Sequence, residues 1–186
     1  MKTILYFDLE TQKSADEVGG WANKAAMRLS LGVTYSTRDQ QFRVYEEEDV
    51  SKLIQALSLA DCVVGFNILG FDYPVLSGYT DLDFSKIPTF DLLTDLYKIL
   101  GFRVSLNSLA RATLQAKKSG DGLEAIRWFQ EGAFAKIATY CRQDVALTRD
   151  LHQFGSKNQY VYYLDRTEQP QKVAVKWSID DPLSAH

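Results

Sequence analysis

The sequence predicts an α/β fold: a mixed β-sheet flanked by helices, with a β-hairpin added at the C-terminal end. Three observations carry this. An apolar run, Ile4-Leu5-Tyr6-Phe7, leads directly into Asp8 and Glu10. A second apolar, β-branched run, Cys62-Val63-Val64-Gly65-Phe66-Asn67, follows a helical pattern, which makes it a parallel return to the first strand. A long helical stripe (Phe134, Ile137, Ala138, Cys141, Val145, Thr148) then offers a face to cover the sheet.

Taken in order, Ile4 to Thr11 reads as a buried central strand. Side chains alternate faces along a strand, so Asp8 and Glu10 point the same way, roughly 6–7 Å apart. Two acids so placed are either half of a divalent-metal site or a strand end with two surface acids. Gln12 to Arg28, with Gly19-Gly20 and Trp21, reads as a loop with a short irregular segment. Leu31 to Thr37 and Phe42 to Tyr45 flank the polar turn Arg38-Asp39-Gln40-Gln41 and form a hairpin antiparallel to the first strand. Glu46 to Asp49 sits at the start of a helix through Val50, Leu53, Ile54 and Leu57, where the helix dipole favours acids. After the 62–67 strand, Gly70 marks a turn and Pro74 suits the first turn of a helix. Asp72 therefore falls at the carboxyl end of a strand, where open α/β sheets place ligands.

Ile87 to Phe90 is a further short strand, and Asp91 to Leu100 a helix closed by Gly101. Asp91 and Asp95 read as its acidic N-terminus. Ser105 is the expected cap of a helix over Leu106 to Leu114. A polar loop (Gln115 to Gly122), a short helix (Leu123 to Gln130) and the long helix from Phe134 to about Phe154 follow. Tyr140 and Asp144 lie one helical turn apart on that helix. His152 reads as a helix-surface residue, and Trp21 and Trp128 as packing residues. The tail offers Tyr160 to Leu164 and Val173 to Trp177 as hairpin strands joined through Glu168 to Gln171, either an added sheet edge or a self-association surface.

The 186 residues form one expected domain, with a core over about 3–155 and a hairpin extension over 157–178. At 46% hydrophobic the chain can bury a sizeable core, and its net charge of −3 gives no basic stripe. A phosphate partner would then be held largely through metals. Cys62 and Cys141 have no metal-ligand spacing and read as reduced, buried hydrophobes in a cytoplasmic protein. The N-terminal apolar run is too short for a signal peptide, and no run reaches membrane-spanning length, so no membrane partner is expected.

Asp8, Glu10, Asp72 and Asp144 converge if the sheet assembles in this way. Four carboxylates without histidine or cysteine ligands are hard oxygen donors, suited to Mg²⁺ or Mn²⁺. Two such ions about 3.5–4 Å apart can clamp a scissile phosphate. The segments Phe7-Asp8-Leu9-Glu10-Thr11, Asn67-x3-Phe71-Asp72 and Tyr140-x3-Asp144, in this order, resemble the three motifs of the DEDD 3′–5′ exonucleases of the ribonuclease H-like superfamily. A tyrosine four residues before the last aspartate marks the DEDDy branch; the sister branch has a histidine one position earlier, where this chain has Thr139. The resemblance implies that Asp8, Glu10, Asp72 and Asp144 hold two metal ions. It implies that Tyr140 orients the attacking water, since a phenol is mostly protonated at neutral pH. Thr11 and Asn67 would contact the terminal nucleotide, and Phe71 would either stack on a base or join the core. The implied activity is release of nucleoside monophosphates from 3′ ends of DNA or RNA, with single-stranded ends as substrate. Arg103, Arg111, Lys117 and Lys118 are either a phosphate-contacting rim or ordinary solvated charges. The alternative function is a catalytically silent nucleic-acid- or partner-binding module, whose signature would be the loss of one of the four acids.

Overall fold

β1 (Ile4–Thr11) is the middle strand of a five-stranded mixed sheet in a computed structural model that describes residues 2–116, 122–178, 180 and 182. The strand order is β3-β2-β1-β4-β5, with β2 at Leu29–Ser36, β3 at Gln41–Glu46, β4 at Cys62–Gly65 and β5 at Thr89–Asp91. The first three strands are antiparallel neighbours; β4 and β5 run parallel to β1. This is the expected mixed sheet. β5 starts two residues later than the run Ile87 to Phe90 suggests, because Pro88 has no N–H to donate; its carbonyl instead accepts from the Val63 N–H at 2.8 Å.

Alternation along β1 feeds two apolar layers. Ile4 and Tyr6 join one with Val33, Val64, Phe90 and the long helix α6; Leu5, Phe7 and Leu9 join the other with Val63 and two shorter helices. The helices are α1 (Val50–Ser58), α2 (Asp72–Leu76), α3 (Leu92–Leu100), α4 (Leu106–Leu109), α5 (Gly122–Gln130) and α6 (Phe134–Asn158). α6 buries Ile137, Cys141, Val145 and Leu151 on the β1–β4 face, while α1 and α2 bury Leu53, Leu57, Val75 and Leu76 on the other. At about 1.5–3 kcal/mol for each fully buried large aliphatic or aromatic side chain, these layers hold the sheet between helices. None of the described helices is long and apolar enough to cross a membrane.

Local signals set several boundaries as expected. Ser105 caps α4, its Oγ accepting from the Ser108 N–H at 3.1 Å, and Gly101 ends α3 in the left-handed region. The helix expected over Leu106 to Leu114 instead loosens into a π-helical turn at Ala110–Leu114, which presents Thr113 to the C-terminal hairpin. α6 runs four residues past Phe154 and stops at Gln159, whose φ of 61° is left-handed.

The hairpin pairs β6 (Tyr160–Leu164) with β7 (Pro170–Ala174) and forms a separate two-stranded sheet, not an added edge of the main one. Its second strand lies earlier than the expected Val173 to Trp177. The Asp165 side chain accepts from the Thr167 and Gln169 N–H groups at 2.8 and 3.0 Å, closing the turn so that Leu164 pairs with Pro170. Beyond β7 the chain enters the core. Trp177 is 2% exposed and donates from Nε1 to Asp95 Oδ2 at 2.7 Å, so Asp95, in the first turn of α3, also anchors the tail. Gly155 makes room for it: a Cβ there would lie 2.2 Å from the indole ring. His152, expected on the helix surface, is fully buried beside Phe90 and Trp177, with Nδ1 2.9 Å from the Tyr6 hydroxyl. The tail supplies the cover that a helix read alone lacks.

Candidate active site

Asp8 and Glu10 share the face of β1 that meets α6, Asp8 half-buried and Glu10 8% exposed. Asp8 lies opposite Val33 and Glu10 opposite Leu31; the register then slips, Thr11 pairing with Leu29. Such a bulge re-aims the strand end. From α6, Cys141 donates its thiol to Asp8 O (3.3 Å) and Oδ2 (3.4 Å), and ligand atoms of Asp8, Glu10 and Cys141 lie within 4.8 Å of one another. Burial holds the Cys141 thiol well above its ordinary range, and the charges of Asp8, Glu10 and Asp144 push the same way. The sulfur is therefore a protonated hydrogen-bond donor that steadies Asp8, not a thiolate. Asp144, 2% exposed, lies three residues on along the same helix.

Asp72 follows β4 and is the first residue of α2. Pairing of β1 with β4 stops at Tyr6 and Val64; beyond it, Asp72 Oδ1 accepts from the Leu9 N–H at 3.0 Å. Burial pushes its carboxyl well above the carboxylate range; the charge of Asp8 adds to this, the Leu9 N–H opposes it, and Asp91 adds a smaller push. A nearby positive charge would relieve the raised Asp72 carboxyl. Asp8, Glu10, Asp72 and Asp144 offer oxygens only, so the residues fit a hard divalent cation.

Tyr140 is buried, one turn before Asp144, its ring edge-on to Trp128 at 5.9 Å. Asn67 has a left-handed φ of 69°; its Oδ1 accepts from Arg103 Nη2 at 2.9 Å. Asp91 fixes this loop: its carboxylate accepts from the N–H groups of Asn67, Leu69, Leu93 and Thr94 at 2.9, 3.0, 3.0 and 3.2 Å. Asp8, Asp144, Asn67 and Arg103 share a cavity of about 460 Å³. Glu10, Thr11 and Phe71 line another of about 580 Å³, walled by Trp21. The Thr11 hydroxyl donates to Lys13 O at 3.0 Å.

Trp21 is 66% exposed and not packed as expected: a turn with Gly19 and Gly20 at φ 81° and 112° leads into a 3₁₀ segment in which Met27 takes the buried place. Its ring meets Phe71 edge-on at 6.3 Å. Arg111 pairs with Glu168 of the hairpin. Lys117 and Lys118 lie outside the described residues. Two residues of the cluster were missed in the sequence. Cys141 sits on the apolar stripe three residues before Asp144, a signal that it faces β1. Asp91 caps α3 as expected, but nothing local announces its hold on the loop at Asn67.

A family model for the RNase H superfamily matches residues 5–154, and the chain belongs to that superfamily. No curated protein matches the sequence. Among solved structures, a family B DNA polymerase from the hyperthermophilic archaeon Pyrobaculum calidifontis is 15% identical with a TM-score of 0.63, over 83% of this chain and 24% of that one. The zinc-bound exonuclease I of E. coli in complex with single-stranded DNA is 13% identical with a TM-score of 0.56, over 86% of this chain and 41% of the other. A further exonuclease I structure gives the same identity and TM-score over 42% of its length. At these identities the likeness is one of fold, and this chain spans less than half of each of these proteins.

Proposed function

We propose that the chain is a DEDDy-type, two-metal-dependent 3′–5′ exonuclease that hydrolyses the terminal phosphodiester bond of DNA or RNA and releases nucleoside monophosphates. The observation that supports it most is the closeness of Asp8 and Glu10 on β1, with Asp72 of α2 acting on Asp8 by charge and Asp144 of α6 lining the same cavity as Asp8. In this reading Asp8, Glu10, Asp72 and Asp144 hold two Mg²⁺ or Mn²⁺ ions, which when bound acidify the attacking water and stabilise charge on the leaving oxygen. Tyr140 positions the water by hydrogen bonding, its ring held by Trp128. Cys141 keeps Asp8 oriented. Thr11 and Phe71 receive the terminal nucleotide in the cavity beside Glu10, and Asn67 contacts it from the other side. Water adds to phosphorus, the bond to the 3′ oxygen breaks, and that oxygen takes up a proton. The whole chain acts as one exonuclease domain, catalysis resting on about residues 3–155; two buried cysteines that form no disulfide among the described residues suit action in the cytoplasm.

Single-stranded DNA and RNA labelled at the 5′ end should shorten stepwise from the 3′ end with Mg²⁺ or Mn²⁺. Asp8→Ala and Asp144→Asn should each abolish this. Full-length product throughout, or shortening that survives both substitutions, would overturn the reading.

A further inference from the structure

The cavity that holds Asp8 and Asp144 does not end at Arg103. It shares Arg103, Val104 and Ser105 with a second cavity of about 600 Å³, which continues over Phe102 to Tyr163 and Arg166 of the hairpin. We propose that this continuous groove is a binding track for single-stranded nucleic acid, in which Phe102 and Tyr163 take bases and Arg103 and Arg166 take phosphates. The C-terminal hairpin is then a substrate-binding element. The direction of the strand, its 3′ end toward the acids, rests on the exonuclease reading above.

Three features argue for this occupant. Phe102 is 47% exposed and meets Tyr163 edge-on at 5.7 Å, so the groove wall offers aromatic surface to solvent. Every nucleobase has a face that can stack there. Two exposed arginines flank the pair, a complement to a phosphate backbone. Asp165 is the one acid among the groove residues of the hairpin, and Thr167, Gln169 and Gln171 already engage its oxygens within the turn. The hairpin is also fixed in place. Ser108 Oγ receives the Leu164 N–H at 2.8 Å and donates to its carbonyl at 3.3 Å; Thr113 Oγ1 does the same for Tyr162 at 2.9 and 2.8 Å. Two hydroxyls thus stand in for a neighbouring strand and set Tyr163, between them, at the groove.

The test uses the full chain and 5′-fluorescent DNA and RNA oligonucleotides of about a dozen residues, long enough to span one such module. Binding is read by anisotropy in EDTA, where divalent-dependent hydrolysis cannot consume the probe. Phe102→Ala should weaken binding about tenfold, as expected for one lost base stack, and Phe102→Leu, which keeps an apolar contact to Tyr163, should share the loss. Arg166→Ala should weaken it several-fold and flatten the dependence of log K on log salt by about 1. Hydrolysis of a dinucleotide with Mg²⁺ or Mn²⁺ should be unchanged in Arg166→Ala, since it cannot reach the hairpin. The DNA and RNA arms show which sugar the track accepts. Unchanged oligonucleotide affinity in folded variants, equal loss on the dinucleotide, or no binding of either nucleic acid by the wild type would overturn the track. A wild type that binds the oligonucleotide through these residues but hydrolyses nothing overturns the exonuclease reading and leaves the track standing.

Discussion

His152 shows how a buried titratable side chain ties stability to pH. Its ring is enclosed by Phe90, Trp177 and Tyr6, and burial pushes its pKa from 6.5 down to about 4. The unfolded chain takes up a proton first as pH falls, so the stability is fully present above about 6.5 and is lost on the way down to about 4. The full loss is about 3 kcal/mol. Urea unfolding followed from neutral pH to pH values near 4.5 should show falling stability. His152→Gln, which can still hydrogen-bond the Tyr6 hydroxyl, should lower stability at neutral pH but flatten the dependence; an unaltered slope would mean that other groups carry it. The burial itself was not legible in the sequence, because the residue that completes it, Trp177, reads there as the end of a hairpin strand, whereas β7 stops at Ala174 and Trp177 turns into the core. The shared face of Asp8 and Glu10 was legible from the period of two along a strand, and the place of Asp144 beside the apolar stripe of α6 from the turn of 3.6 residues along a helix.

Elements that end on a local signal were read closely, and elements positioned by a distant side chain were not. Ser105 and Gly101 bound their helices by capping chemistry alone. β7 begins where Asp165 closes its turn, and the turn at Ala110–Leu114 answers to the hairpin it contacts. The loop after β4 is of the second kind. Four backbone N–H groups converge on Asp91, so Asp91→Ala leaves all of them without that acceptor. The expected cost is at least about 3 kcal/mol by chemical denaturation, with Asp91→Asn recovering part of it. Because the loop carries Asn67 toward Asp72, amide exchange at Asn67 and Leu69 should accelerate beyond the global change. Protection that falls only in proportion to overall stability would show that Asp91 does not govern the loop locally.

At the scale of the whole molecule, the acid cluster makes folding sensitive to cations. Asp72 is raised by burial and then by the charge of Asp8, so repulsion is stored across the junction of β1 and α2. A ligand that binds only the native state stabilises it by mass action, by about 2.7 kcal/mol at a hundred times its Kd. Millimolar Mg²⁺ or Mn²⁺ should therefore raise the Tm of the wild type in a thermal melt. Asp8→Asn should melt higher than the wild type in EDTA, through lost repulsion, and gain little from either metal. A metal shift equal in both proteins would remove Asp8 from the binding set.

β1 collects its partners at increasing distance along the chain. β2 is a near neighbour, Asp72 reaches Leu9 across 63 positions, and α6 reaches Asp8 and Tyr6 across 133 and 146. Contacts so remote in sequence make loop closure the slow part of folding, on a scale of milliseconds to seconds. A chain that has formed only its hairpins and local helices keeps the Asp8 face of its central strand bare, apolar residues and acids alike. The four carboxyls come together only when α6 docks. Any property that depends on their meeting should return during refolding with the slowest phase, and not in proportion to the helix content regained before it.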